Sequence, residues 1–546
     1  MAAALTIRNF SSSPLTLKHV SRFKDPNSLQ SRPSRVPFIG GNTSRTEAEV
    51  SRLQGHAQTY TEEDVDIQLL PFHAYTLPAP TQLNHESSST SPGTVAIRLT
   101  ICDPSGERHR IDTNPSYTQR SSVRLTPLTP NPSTTYSALF HPANPIAHLT
   151  IHTHHLLDLS TWMTSLPPTL PLSALSIPGT HNSHTHYRAL PSVRCQVVDI
   201  STQLSHGIRF LDIRLQPSHA TDSSKKDLLL VHGAFPVSLT GAKYFGPVLE
   251  SCYQFLEKNP GETILLSLKR EGTGGASDEM LSRVLERWYF GERREMWYFP
   301  PTGTEGEERI PYLGDVRGKI VLIRRYNTHS ASPSEPQTPT RTRTTPPGLT
   351  ATLWPHNTPH SQPTPTFPFS LQDYCEVLQP SAIAHKLSHS TSHLARSAST
   401  TSLIPGYNTD PANPCPPNPF FLNFLSGSNF WRVECWPDRI ASVVNRGVEE
   451  WVVREMGFAA GGGGEEGVDE VRGRGGEEGG KTERVNGAGY PLLRRPLGEG
   501  DMGTGVVVMD NVGEGGDWEL VRLIVGCNAG VLMKMGVSWE GRKVEG

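Results

Sequence analysis

The 546-residue sequence lacks any run of about 18 apolar residues, so no helix is expected to span a bilayer. It also lacks charge of one sign. Lys+Arg 50 against Asp+Glu 53 leave a net charge of -3, so no basic face is expected and no nucleic acid partner is called for. Cysteine is scarce. Cys102, Cys195, Cys252, Cys375, Cys415, Cys435 and Cys527 are scattered without C-x-x-C spacing, which predicts reduced thiols instead of a disulfide framework or a zinc ribbon. The opening "MAAALTIRNFSSSPLTLKHVSRF" has no apolar signal-peptide core. Its lack of acids before Asp25 suits a mitochondrial presequence, but "LTIRNF" and "LTLKHVSRF" alternate like two strands joined by "SSSP", and the strand reading is preferred. Missing signal and unpaired thiols together lead to an expectation of a cytoplasmic protein.

What is abundant is glycine and proline, 48 and 47 residues, against a hydrophobic fraction of only 35%. That combination predicts packed domains interrupted by segments that cannot pack. Over residues 1–155 short β runs such as "TVAIRLTICD", "TTYSALF" and "AHLTIHTHH" alternate with turn residues, which predicts an antiparallel β-sandwich-like domain. The "HTHH" tail of the last run reads as a solvated edge. Over residues 156–546 apolar runs alternate with amphipathic stretches: "ALSIPGTH", "GIRFLDIRL", "LLLVHG", "ETILLSLKRE", "KIVLIRRY", "FFLNFLS" and "GVVVMDNV". This is the pattern of an α/β domain with a parallel sheet, and seven such strands fit a TIM-like (β/α) barrel that need not be regular. Disordered insertions are expected near 328–350, 386–404 and 459–490, where Ser/Thr/Pro, Ser/His and Gly/Glu dominate.

In a parallel barrel the chemistry gathers at the carboxyl ends of the strands. There the sequence puts His181 after "LSI", Asp212 and Arg214 in "FLDIR", and His232 after "LLLV". Lys269 and Glu271 end "ILLSLKRE", Arg325 ends "KIVLIRR", and Asp510 ends "VVVMD". Two imidazoles supply a base and an acid, guanidinium suits phosphate, and aspartate orients imidazole. Together they are the equipment for cleaving a phosphodiester through an internal hydroxyl. Nearby His184 and His186 read as a polar rim beyond the strand end, and Trp431 and Trp436 as residues shaping the mouth.

The ordered series "IPGTHNS", "LSHGIRFLDIRL", "LLLVHG", "LEKNPGETILLSLKRE", "LGDVRGKIVLIRRY" and "VVVMDNV" resembles the phosphatidylinositol-specific phospholipase C X-domain family, in its bacterial-type and fungal, metal-independent branch. The likeness runs closely from about Pro168 to Arg325 and resumes in pieces near "LWPHNTP", "SLQDYCEV", "LNFLSGS" and "VVVMD". The leading domain is similar to the extension that precedes such domains in fungal proteins. The resemblance implies His181 as general base toward the inositol 2-hydroxyl, His232 as general acid for the diacylglycerol leaving group, and Asp510 as partner of His181. It implies Arg214, held by Asp212, where calcium-dependent relatives place a metal-binding carboxylate. Lys269, Arg325 and Asp373 are implied contacts of the inositol hydroxyls.

Two positions depart from the family pattern. Asn182 stands where metal-independent members have aspartate, and calcium-dependent relatives use asparagine here as a ligand. Cys375 stands where an aromatic residue often stacks on inositol, with Tyr374 as the available substitute. Arg214 argues against calcium, so no metal and no cofactor are expected. The expected function is a phosphoric diester hydrolase or lyase acting on phosphatidylinositol or a related glycophospholipid, with transient, peripheral contact to a membrane surface. The alternatives are a catalytically weak lipid-binding protein impaired at Asn182, and a metal-dependent phosphodiesterase on the same barrel.

Overall fold

The structure, a computed structural model, describes residues 4–11, 13–24, 59–71, 73–78, 95–113, 123–141, 147–153, 158–301, 310–328, 346–411, 418–456 and 500–537. The chain divides into two compact units, one of residues 1–154 with 452–499 and one of residues 155–451 with 500–546.

The described residues of the first unit between Leu5 and Thr153 form strands in two five-stranded sheets. One contains Leu5–Asn9, Ala74–Leu77, Val123–Arg124, Tyr136–His141 and Ala147–Thr153; the other contains Leu15–Lys24, Thr59–Leu69, Val95–Cys102, Arg108–Thr113 and Thr126–Pro127. Inward residues of both sheets, among them Ile7, Leu17, Val20, Leu99, Phe140 and Ile151, share one apolar cluster. The period-2 rule explains most of it, and a register shift between Leu17 and His19 explains the change of phase from Leu15 and Leu17 to Val20. Two expectations need correction. Leu5–Asn9 pairs parallel with Ala147–Thr153, so the sheets are not purely antiparallel. His152 is no solvated edge: alternation puts it on the face opposite Ile151, and there it is buried against Phe10; His154 and His155 lie outside the described residues.

The second unit alternates strand and helix around a mostly parallel sheet. Its parallel strands are β1 Ile177–Thr180, β2 Phe210–Pro217, β3 Ile264–Arg270, β4 Ile320–Arg325, β5 Leu349–Thr350, β6 Phe369–Asp373, β7 Phe420–Phe424 and β8 Val506–Met509. They are largely buried on both faces, as strands covered by helices must be. Chain neighbours are sheet neighbours through β1-β2-β3-β4-β5 and through β6-β7-β8, and the last strand returns to the first with Ile177 opposite Val506 and Thr180 opposite Met509. Among the described residues no ladder joins β5 to β6; Thr358–Ser361 lies antiparallel on the outer edge of β6. Parallel winding of this kind puts the carboxyl ends together. Gly179 is needed in β1, since a Cβ there would come within 2.8 Å of the Phe210 Cβ on β2.

"LLLVH" is corrected from a parallel strand to an antiparallel arm. Leu228–His232 folds back on the end of β2, with Leu230 opposite Leu215. The segment near 386–404 is likewise no disordered insertion: Ala382–Ala398 is a helix with Ile383, Leu394 and Ala398 buried. Ser and His there alternate with small apolar residues at helical spacing, and composition alone hid the stripe. Of the other two segments, residues 329–345 and all of 459–490 lie outside the described residues.

The amino ends of the strands are closed by a buried ion pair. The Arg209 guanidinium donates to Glu262, to the carbonyls of Leu204 and Ile208, and to those of Leu159 and Ser160. All five of its N–H groups are thereby satisfied. Glu262 in turn accepts from the Met163 and Thr164 amides. Replacing Glu262 by glutamine leaves a buried guanidinium unpaired and is expected to cost about 3–5 kcal/mol, read as a lower denaturant midpoint for this unit. An unchanged midpoint would contradict the assignment.

Candidate active site

At the opposite, carboxyl ends, His181 follows β1 and extends its ladder, its amide donating to the Met509 carbonyl at 2.9 Å. Asp510 follows β8, and its Oδ1 lies 2.9 Å from His181 Nδ1. An ionised carboxylate only accepts, so Nδ1 carries the hydrogen, and in the neutral ring Nε2 offers a lone pair. The Gln196 amide donates to both the His181 and Met509 carbonyls, stapling the two strand ends. The arm Leu228–His232 delivers the second imidazole. His232 Nδ1 donates to the Val193 carbonyl at 2.8 Å, and the two histidine rings stand 6.3 Å apart, nearly perpendicular.

Asp212 and Arg214 share a face of β2 because they are two residues apart. Arg214 Nε and Nη2 donate to Asp212 Oδ2 at 3.1 and 2.7 Å, and Nη1 donates to Glu271 at 2.7 Å. Register places Arg214 opposite Lys269 on β3, and Lys269 opposite Arg325 on β4, so three cations stand in one row across three strands. Lys269 bonds Glu271 at 2.7 Å, and Arg325 reaches Asp212 Oδ1 at 3.4 Å. Arg325 also lies over the Trp354 ring, whose indole N–H donates to Asp373. Unlike Arg209, Arg214 commits three of its five N–H groups among the described residues, which leaves two for an anion.

The electrostatics follow this geometry. Burial opposes a charged His181, but the Asp510 and Cys195 contacts outweigh it and hold the ring well above the ordinary imidazole range. Burial likewise opposes a charged His232, and Cys195 again reverses the sign. For Asp212 burial would raise the carboxyl, yet Arg214 and Arg325 bring it down to about 2. Arg325 is lowered to about 10 by burial and by Arg214.

The expected residues His181, His232, Arg214, Asp212, Asp510, Lys269, Arg325 and Asp373 therefore meet in one region. Asn182 joins them through its backbone, donating to Asp212 Oδ2 at 3.3 Å from a left-handed turn with φ 41°. Tyr374 does not join. Its ring packs edge-on against His389 of the Ala382–Ala398 helix. His184 is no polar rim: it is buried, its Nε2 donating to the Val231 carbonyl of the arm, and burial lowers it to about 3. His186 packs on Tyr187, and Trp436 donates to the Phe430 carbonyl. The sequence places Glu271 at a strand end but assigns it no role, and Cys195 escaped sequence reasoning. Glu271 joins Arg214 and Lys269 to the Gly233 amide, tying the cation row to the arm of His232. Cys195 is fully buried beside both imidazoles, and no motif marks it.

The His181–Asp510 pair gives a titration with a fixed sign. A carboxylate stabilises the imidazolium, so Asp510→Asn is expected to lower the His181 pKa, followed by 15N-resolved NMR. A His181 that titrates below the ordinary range, or does not move in the variant, would contradict the assignment.

Residues 169–326 match the family model of the phosphatidylinositol-specific phospholipase C X domain. The 1-phosphatidylinositol phosphodiesterase of Listeria monocytogenes is 36% identical over 173 residues, which cover 31% of this chain and 49% of that protein. The protein of the same name from Staphylococcus aureus is 28% identical over 176 residues, 30% of this chain and 50% of that protein. The human PI-PLC X domain-containing protein 1 is 28% identical over 139 residues, 20% of this chain and 41% of that protein. The chain thus spans about half the length of the curated bacterial relatives it matches. A solved phosphatidylinositol-specific phospholipase C from Listeria monocytogenes aligns with TM-score 0.41 at 22% identity, covering 68% of this chain and 98% of that one. It is over residues 169–326, less than half of its length, that the chain is similar to the X domain of the phosphatidylinositol-specific phospholipase C family.

Proposed function

We propose that the second unit is a (β/α) barrel, open between β5 and β6, that cleaves phosphatidylinositol or a related glycophospholipid at the phosphodiester. His181 Nε2 takes the proton of the inositol 2-hydroxyl, and that oxygen attacks phosphorus. The free N–H groups of Arg214, with Lys269 and Arg325 beside it, neutralise the charge that develops on the phosphate. His232 Nε2–H gives its proton to the diacylglycerol oxygen as the phosphorus–oxygen bond breaks. The products are a cyclic inositol phosphate and diacylglycerol. Asp510 holds His181 in the required tautomer and strengthens it as a base; Asp373 and Trp354 frame the inositol side.

The observation that carries this reading is the 6.3 Å separation of the two imidazoles beside a guanidinium with free donors. Guanidinium at position 214 takes the place of a cation, so turnover is expected to survive chelation of calcium. His181→Ala and His232→Ala are each expected to lower kcat by about 10²–10⁴ while vesicle binding persists. Turnover abolished by chelator, or unaffected by either substitution, would overturn the reading. A folded protein that binds lipid without any turnover would favour the lipid-binding alternative.

The lipid substrate calls for peripheral membrane contact, and an exposed aromatic rim supports it. Phe235, three residues past His232, stacks on Phe430 with centroids 4.5 Å apart; Phe430 packs on Trp431, which is 88% exposed. Among the described residues no helix is long and apolar enough to cross a membrane. Trp431→Ala is expected to weaken binding to phosphatidylinositol vesicles roughly tenfold in sedimentation, without loss on a soluble substrate. Equal binding by both proteins would remove the rim from the account.

A further inference from the structure

We infer that His181, Cys195 and Asp510 form a binding site for a soft divalent cation, Zn2+, whose occupation shuts the site described above. The blocking role rests on the proposed function; the binding does not. The three residues come from the end of β1, the loop that follows it and the end of β8. An imidazole nitrogen, a thiol sulfur and a carboxylate oxygen lie within 4.8 Å of one another. Tetrahedral zinc wants ligand atoms about 3.3–3.6 Å apart, so a closure of about 1 Å completes the set. Nitrogen, sulfur and oxygen together select zinc over calcium or magnesium, which take oxygen ligands.

Two further features point to a cation. The Asp510 carboxylate is buried, and while Oδ1 pairs with His181, Oδ2 has no hydrogen-bond partner among the described residues. A buried carboxylate oxygen without a partner is costly, and a cation satisfies it. The frame is also fixed beforehand. The Cys195 amide donates to the Thr185 hydroxyl at 3.0 Å, its carbonyl accepts from the Asn511 amide at 2.7 Å, and Gln196 staples the His181 and Met509 carbonyls. The thiol is thereby held toward the residue after β8. The His181 side chain is 18% exposed, which gives an ion its way in and leaves the fourth position open.

The step balances without a co-reactant. Zn2+ binds thiolate, neutral imidazole and carboxylate; the thiol proton, and the second ring proton of His181 where the ring is an imidazolium, pass to solvent, and the ring keeps one N–H. An imidazole whose nitrogen holds zinc cannot take the substrate proton, so the ion acts as a reversible block. No residue outside the candidate site is required.

The test uses the full chain and Co2+ as a spectroscopic stand-in for Zn2+. A thiolate-to-cobalt charge-transfer band is expected at one equivalent, removed by competing Zn2+, lost in Cys195→Ser and kept in Cys102→Ser. Asp510→Asn is expected to weaken binding at least tenfold, and circular dichroism reports whether each variant is folded. A band that survives Cys195→Ser, or folded protein that binds no metal, would overturn the inference; if Cys195→Ser does not fold, undiminished binding by Asp510→Asn overturns it instead. Phosphatidylinositol turnover in wild type separates the two claims. Metal binding without turnover retires the proposed function and leaves the site standing, whereas turnover indifferent to bound Zn2+ retires the block.

Discussion

One buried carboxylate organises the candidate site. Asp212 is fully enclosed, and its two oxygens meet Arg214, Arg325, the Asn182 amide and, at 3.4 Å, the Ser267 hydroxyl. A lone charge in that position would be prohibitive, so the carboxylate and the two guanidiniums stand or fall together. The loop after β1 is bound to the same strand: the Ser183 amide donates to the Asp212 carbonyl, and the Asp212 amide to the Ser183 hydroxyl. The loop that carries His181 is therefore locked to the strand that carries Arg214. Glu271 extends the lock to the arm of His232 through the Gly233 amide. The two imidazoles and the cation row form one assembly.

The two ends of the strands use arginine differently, and the contrast separates stability from chemistry. Arg209 at the amino ends spends every donor on the protein, which is what a structural charge needs. Arg214 at the carboxyl ends holds donors in reserve while Asp212 and Glu271 keep it charged and oriented. Preorganised donors without a protein partner are the form that anion stabilisation takes in an enzyme site. Parallel winding makes the division possible, because it sends every carboxyl end the same way.

How much of this the sequence reveals depends on how local the signal is. His181, Arg214, Lys269, Arg325 and Asp510 are legible because each ends an apolar run, and the runs are strands. Glu262 and Arg209 leave no such mark, since their partnership is a matter of tertiary placement. His232 is legible as a candidate but not as a residue of an antiparallel arm: "LLLVH" is short and apolar in either setting, and only pairing distinguishes them. Cys195 sits in "RCQVV" without a spacing cue, and its meeting with two imidazoles depends on a fold-back that no local pattern encodes. The helix Ala382–Ala398 hid behind its serines, where composition suggested disorder but periodicity carried the answer. Tyr374 shows the opposite error: a neighbour in sequence turned its ring to the far side, toward His389.

The central claim is that two imidazoles and a guanidinium act on one phosphate through an internal hydroxyl. Phosphorus NMR of the first product formed from phosphatidylinositol vesicles tests it most directly. A five-membered cyclic phosphodiester appearing before any open-chain inositol phosphate is the expected result. An open-chain phosphate as the first product, with no cyclic species ahead of it, would contradict the account.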